Sequence, residues 1–311
     1  MVEDNEIKAQ VSPFAIREGE IKTFDGKDGY VSMNQIIHKI DIGHISDIHF
    51  AILDLVNEFE FITSRQLYQM LQIKGIDPKS QDKLNNKLEQ MVKSKILTRY
   101  YFTSDEGKGI YRIYCLEKMG KYLLTSRELD CKWQPSDNTK PVAMIKKRLA
   151  GNQTLIAYLR KVKAFDSYIV KPTINAKVSG KTFRSSGGCV KLTKNNKSIQ
   201  FLFEAIRREQ DWQRKLVDKV KLYKDFYENF VPMDSGFQGL PQLIFICEDE
   251  RHMAETFKEI ITNGLEIPQI KLLFTTDLRQ NEETLENTLV EFKLVDGKYK
   301  QENVELKLLG M

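Results

Sequence analysis

The sequence predicts an α+β chain of two domains. Three observations carry that expectation. At 311 residues the chain is about twice the usual domain length of roughly 100–150 residues. Its first half orders three amphipathic helices ahead of two strand-like runs. Its second half alternates near-continuous apolar strands with amphipathic helices, the pattern of a sheet covered on both faces.

Residues 1–43 have weak periodicity and include the mixed-charge, glycine-bearing run "REGEIKTFDGKDGY", which predicts an extended N-terminal arm with at most one hairpin. From residue 44, "SDIHFAILDLVNEF" places Ile48, Ile52, Leu55, Val56 and Phe59 at helical spacing behind a Ser46 or Asp47 cap. "ITSRQLYQMLQ" predicts a short second helix capped by Thr63 or Ser64. "DPKSQDKLNNKLEQMVKSK" predicts a third, opened at Asp77-Pro78 because proline is tolerated in a first helical turn. Leu84, Leu88, Met91 and Val92 form its apolar stripe. The strand-like "ILTRYYF" and "GIYRIYCL" flank the turn-rich "TSDEGKG", and "EKMGKYLL" closes the segment as a short helix. Three helices and then a hairpin is the order of a winged helix-turn-helix, expected over residues 44–125.

Residues 126–141, "SRELDCKWQPSDNTKP", carry two prolines and several turn formers and read as a linker. Beyond it, over 142–311, come a helix ("NQTLIAYLRKVKAF"), the strands "SYIVKPTINAKV", "GCVKLT" and "SIQFLFEAI", and a helix from Asp211. That helix has Trp212, Leu216, Val220, Tyr223 and Tyr227 on its buried side. The strand "PQLIFICED", the helix "ERHMAETFKEIITNG" and the strand "IKLLFTTD" follow. Helix, three strands, helix, strand, helix, strand is the order of the restriction-endonuclease-like fold.

The face of the third helix opposite its apolar stripe carries Lys79, Lys83, Asn86, Lys87 and Gln90. Lysines and side-chain amides are groups that meet phosphates and base edges from a helix in the major groove. Lys108 falls at the tip of the hairpin, and Arg99 and Arg112 flank it. These eight residues are the expected contacts to double-stranded DNA; the competing reading is a winged helix used for protein contacts.

Glu204 ends the apolar run Phe201-Leu202-Phe203, where metal-dependent nucleases carry a metal-binding acid followed two residues later by lysine. Here that later position is Ile206. Holding Mg²⁺ for phosphodiester cleavage takes at least two acidic ligands and a group that orients water. A lone Glu204 beside Arg207, Arg208 and Glu209 does not supply them. The expectation is therefore no catalytic residue and no metal, with Glu204 paired to an arginine or capping the helix near Asp211. Glu248, Asp249 and Glu250 open a helix, where negative charge complements the helix dipole, and Asp277 is expected to cap a turn.

At these residues the chain resembles the replication-relaxation family, accessory proteins of plasmids and related mobile elements. The resemblance spans about residues 45–280 and rests on Phe203, Glu204, Arg207 or Arg208, Leu216, Lys219 and Tyr223. "QLIFIC" followed by Glu250, Arg251 and Met253, and "LLFTTD", add to it. It implies a winged helix joined to a nuclease-like domain and work at a replication or transfer origin. A relaxase, replication initiator or transposition protein would be the partner. The chain departs from the family pattern at Ile206, where an Asp is usual, and in "GGCVKLT", a strand without an acid.

Other classes are excluded or disfavoured. No apolar run approaches the roughly 18–20 residues that span a bilayer, and "MVEDNEIKAQ" lacks a signal-peptide core, so a cytoplasmic protein without membrane contact is expected. Cys115, Cys131, Cys189 and Cys247 form no closely spaced pair and read as reduced thiols, and His38, His44 and His49 match no zinc spacing. There is no phosphate-binding glycine loop, since "SGKTF" lacks the upstream glycine and the following helix, and no cofactor is expected. Net charge is +5; residues 140–171 hold eight Lys or Arg against Asp166, compatible with a phosphate backbone, an acidic partner or a solvated helix face.

The leading expectation is a non-catalytic DNA-binding accessory protein of plasmid or mobile-element replication or conjugative transfer. The alternatives are a divergent metal-dependent DNA endonuclease, and a winged-helix transcriptional regulator or protein-interaction module.

Overall fold

Part of the segment expected as an extended arm with at most one hairpin folds into regular structure, a strand and a helix. Strand β1 (Ile21–Phe24) pairs antiparallel with the strand Leu97–Ser104, from Ile21 opposite Thr103 to Phe24 opposite Tyr100. Helix α1 (Met33–Asp41) opens at Ser32, whose Oγ accepts from the Gln35 N–H while Gln35 Oε1 accepts from the Ser32 N–H. This reciprocal cap satisfies two donors that a helix start leaves open. Both elements are weak in sequence because β1 is four half-exposed residues and α1 buries only Ile36.

The structure is a computed structural model that describes residues 11–104, 107–232, 237–281, 285, 288–295 and 298–304. Two compact units emerge: Ile16–Arg160 with Tyr168–Val170, and Met1–Ala15 with Lys161–Ser167 and Lys171–Met311.

In the first unit, α2 (Asp47–Phe59), the two-residue β2 (Ile62–Thr63), α3 (Ser64–Ile73) and α4 (Gln81–Lys93) follow α1. Thr63 caps α3 reciprocally with Gln66. Helix α4 begins at a Ser80 cap rather than at Asp77-Pro78: Ser80 Oγ accepts from the Lys83 N–H, and Asp77 Oδ1 accepts from the Lys79 N–H in a turn outside the helix. Leu84, Leu88, Met91 and Val92 are all buried, as their spacing requires. Strands β3 (Leu97–Ser104) and β4 (Gly107–Leu116) form an antiparallel hairpin in a sheet ordered β1-β3-β4-β2, and α5 (Lys118–Ser126) follows.

The stretch 126–141 is not an open linker. It contains a 3-10 turn, Pro135–Thr139, and the buried Asn138 donates to the Leu116 carbonyl while accepting from Trp133 Nε1. The next helix, α6 (Val142–Lys161), belongs through Arg160 to this same unit, so the units divide after Arg160 and not at 126–141. Its side chains explain why. Asn152 Nδ2 donates to the Phe61 carbonyl at 2.7 Å, Gln66 Nε2 donates to the Leu149 carbonyl at 2.8 Å, and the buried Lys146 pairs with Glu20. Part of the basic stretch is thus engaged within the fold, with Lys140 on Glu60 and Arg148 donating to the Val170 carbonyl as well, while Arg160 and Lys163 stay exposed.

In the second unit, the edge strand is β5 (Phe165–Ile169), of which residues 165–167 belong to this unit; β6 (Thr173–Ala176) and β7 (Lys181–Arg184) form a two-stranded ribbon of their own, and β8 (Cys189–Lys194) turns into β9 (Lys197–Ala205). After α7 (Trp212–Glu228) come β10 (Gln242–Cys247), α8 (Glu250–Thr262) and β11 (Leu273–Thr276), then the hairpin β12 (Val290–Val295) and β13 (Lys298–Asn303). Among the described residues the sheet order is β13-β12-β11-β10-β9-β8-β5. The pairs β9–β10 and β10–β11 are parallel, and β8–β9, β11–β12 and β12–β13 are antiparallel. The three parallel strands are apolar on both faces; Leu216, Val220, Tyr223, Phe226 and Tyr227 of α7 pack in the same core as Leu243 and Phe245.

Candidate nucleic-acid interface

Helix α4 presents Lys83, Asn86 and Gln90 as exposed side chains and Lys87 as a half-buried one, at i, i+3, i+4 and i+7 along one side. Lys79 is exposed but precedes the Ser80 cap, in left-handed backbone at φ 67°, so it extends the start of that face instead of lying on the helix. Gln90 is held from below. The Ser46 N–H donates to His49 Nδ1 at 3.1 Å, which leaves the ring proton of neutral His49 on Nε2, 3.3 Å from Gln90 Oε1. Gln90 therefore accepts through its oxygen and turns its –NH₂ donor outward. Burial first, then the charge of Lys87, lowers the His49 pKa from its ordinary value and keeps the ring neutral. The histidine that zinc spacing failed to explain is a support for this face.

Two of the expected contacts are committed elsewhere. Arg99 is buried, with Nε donating to the Asp25 carbonyl at 2.7 Å and Nη1 on Glu89, so it ties β1 and α4 to β3 and is not available to DNA. Burial works to raise the Glu89 pKa, but the Arg99 hydrogen bond and charge, with Lys27 and Lys93, outweigh it and hold it below the ordinary value. Arg112 donates to Asp25 Oδ2 at 2.7 Å with half its side chain exposed. The Lys108 side chain lies outside the described residues.

Glu204 ends β9 in a cradle of donors. Gly187 makes the cradle: a Cβ there would stand 2.7 Å from the Phe203 carbonyl oxygen, so only glycine lets residues 185–188 lie against β9. The Gly187 N–H donates to the Phe203 carbonyl at 3.0 Å and the Phe203 N–H to the Gly188 carbonyl at 2.9 Å. Ser186 is thereby placed to donate through Oγ to Glu204 Oε1 at 2.7 Å. From α7, the Tyr223 hydroxyl donates to Oε2 at 2.6 Å, and Lys219 Nζ lies 3.7 Å away. Burial first, then the Glu204 charge, raises the Tyr223 pKa well above its ordinary value, so the phenol stays a donor. Lys219 and Tyr223, spaced i and i+4, thus both reach Glu204. The expectation that Glu204 pairs with Arg207 or Arg208, or caps the helix near Asp211, is overturned.

The two arginines serve the neighbouring strand ends. Arg207, fully buried, donates to the Ile206 carbonyl at 2.6 Å and pairs with Asp277 at 2.9 Å. The Ser12 hydroxyl also donates to Asp277, so this carboxylate is a buried ion-pair partner and not a turn cap; Thr276 Oγ1 accepts the Arg279 N–H there. Burial lifts the Asp277 pKa above the ordinary value even though Arg207 pulls it down. Arg208 reaches Asp249 at 2.5 Å and Glu255 at 3.2 Å, and its N–H donates to the buried Glu248. Asp249 caps α8 by accepting from the His252 N–H at 2.7 Å. Among the described residues no three His, Cys, Asp or Glu side chains come together as a metal-holding group. Cys115, Cys189 and Cys247 are buried, and burial pushes the Cys189 and Cys247 thiols up to about 12.

No family model matches the chain, and no curated protein matches it. One solved structure is similar, that of the restriction endonuclease FokI, at 8% identity and a TM-score of 0.27, over 74% of this chain and 42% of that one. The chain spans less than half the FokI chain, and a superposition this loose fixes neither fold nor chemistry. No described helix is long and apolar enough to cross a membrane.

Proposed function

We propose that the chain is a non-catalytic accessory protein that holds duplex DNA, with residues 44–125 acting as a winged helix-turn-helix and α4 entering the major groove. The observation that carries this reading is the exposed α4 face, where Lys83, Asn86 and Lys87 stand beside a Gln90 whose donor is turned outward by His49. Lysines neutralise phosphates, and an oriented amide donor suits the N7 and O6 acceptors of guanine. Its work at an origin, with a relaxase or replication initiator as partner, follows from the resemblance to the replication-relaxation family. The second unit, a restriction-endonuclease-like domain on this reading, serves as a binding scaffold, and its strand-end carboxylates act as structural ion pairs and hydrogen-bond acceptors.

The test is duplex binding by wild type and by Lys83→Ala/Lys87→Ala across a salt series. Each lost phosphate contact lowers the slope of log K against log salt by about 0.9. We expect a drop of about two in slope with unchanged thermal unfolding. Equal affinity and slope in both proteins would remove α4 from the account.

A further inference from the structure

The two faces of the β6–β7 ribbon differ in character. In the antiparallel register Ile174 faces Phe183 and Asn175 faces Thr182. On the inner face, Ile174 is buried in the core and the Phe183 ring meets the Tyr223 ring edge-on at 5.0 Å. On the outer face, Thr173, Asn175, Thr182 and Arg184 are all exposed; Lys181, opposite Ala176 and so on the other face by register, is exposed at the ribbon end where β7 begins.

Helix α7 clamps this ribbon at both ends. Asp225 accepts the Val178 and Ser179 N–H groups of the turn at 3.0 and 2.8 Å, and Lys219 donates to the Arg184 carbonyl at 2.6 Å. The outer face is therefore held in place before any ligand arrives, which reduces the ordering cost of binding.

Its chemistry is one-sided. Thr182 Oγ1 donates to Asn175 Oδ1 at 3.0 Å, so the Asn175 amide offers its –NH₂ outward beside the Arg184 guanidinium. Lys181 and Arg184 make no ion pair among the described residues. From Ser167 to Phe203 the sequence holds seven Lys or Arg and no Asp or Glu. A face with cations, an outward amide donor and no carboxylate of its own fits a ligand that offers acceptors and negative charge along a line. The major groove of duplex DNA does so, and it admits a two-stranded β-ribbon as readily as a helix.

We infer that the β6–β7 ribbon is a second duplex-DNA contact, independent of α4, carried by Arg184 and Asn175 on its outer face and by Lys181 at its exposed end where β7 begins. Lys181 and Arg184 neutralise phosphates, and the Asn175 amide donates to a phosphate or a base-edge acceptor. The second unit on this account grips DNA itself.

The experiment uses the full chain and a fluorescein-labelled duplex of mixed sequence, followed by anisotropy over a series of KCl concentrations. Lys181→Ala/Arg184→Ala is compared in the wild-type and Lys83→Ala/Lys87→Ala backgrounds, with thermal unfolding as the control for folding. Lys181→Arg/Arg184→Lys keeps both charges. We expect the alanine pair to lower the salt slope by about two in either background, and the charge-keeping pair to restore it. If Lys83→Ala/Lys87→Ala changes nothing while the ribbon pair lowers the slope, the α4 reading falls and the ribbon contact stands. An unchanged slope in the ribbon variant overturns the inference. So does a ribbon variant that loses binding to a labelled polyglutamate peptide while keeping its duplex affinity, because the face would then take an acidic protein.

Discussion

Glu204→Ala removes the acceptor that Tyr223, Ser186 and Lys219 share, and the three donors fare differently without it. Ser186 Oγ already lies 3.4 Å from the Ala205 carbonyl and can turn to it, and Lys219 keeps the Arg184 carbonyl at 2.6 Å. The Tyr223 hydroxyl, on a fully buried side chain, is left with the neutral Ser185 hydroxyl, which already donates to the Phe203 carbonyl. A buried donor that loses its charged acceptor costs about 1–3 kcal/mol, and the small void left by the carboxylate adds about 1 kcal/mol. The sum is roughly 2–4 kcal/mol, or about 4–16 °C in the unfolding midpoint of a unit this size. The sharper test is coupling. In wild type, Tyr223→Phe removes a hydrogen bond to a charge, at about 1.5–3 kcal/mol. In the Glu204→Ala background the same change removes a hydroxyl that has the neutral Ser185 in place of a carboxylate and should cost less than about 1 kcal/mol. Calorimetry and urea unfolding of the four proteins measure this cycle. Additive losses would refute the cradle as described.

Two further outcomes follow from the buried charges. Asp277→Ala strands the fully buried Arg207 guanidinium without its carboxylate and should cost about 3–5 kcal/mol in urea unfolding, more than Glu204→Ala; a loss below about 1 kcal/mol would show that Arg207 escapes to water. His49, whose pKa is lowered in the fold, cannot accept from the Ser46 N–H once protonated. Its contribution is fully present above the unfolded value of about 6.5 and is lost as pH falls through the folded pKa. Wild type should therefore lose stability below about pH 6.5 relative to His49→Gln, and parallel pH curves would refute the neutral tautomer.

What could be read from sequence depended on how locally each feature is determined. Helices α2, α3, α4, α7 and α8 announce themselves because each carries its apolar stripe within one segment, as Leu84 with Leu88 and Met91, and in α3 the Thr63–Gln66 cap lies there too. Strand β1 is defined mainly by β3, some eighty residues away, and β7 by its register with β6, so neither shows in a periodicity of its own. The pattern of Lys219 and Tyr223 was visible, but not their meeting at Glu204, because Ser186 and Gly187 bring the cradle from another loop. Arg99 looked like a flanking contact since nothing local reveals Asp25 or Glu89 as its partners. Residues 126–141 looked like a linker for the same reason: prolines mark turns, and a turn can be packed. The outward amide of Gln90 rests on His49, forty-one residues earlier, which no helical spacing could disclose.

The proposed activity is to hold duplex DNA without cutting it. The most direct measurement is incubation of supercoiled plasmid with the full chain in Mg²⁺ or Mn²⁺ at low salt, read by gel mobility before and after deproteinisation. The account predicts a retarded complex that returns to intact supercoiled plasmid, for wild type and Glu204→Ala alike, because each strand-end carboxylate is held by protein donors. Metal-dependent nicked or linear product from wild type, absent with Glu204→Ala, would contradict it and make the second unit a nuclease.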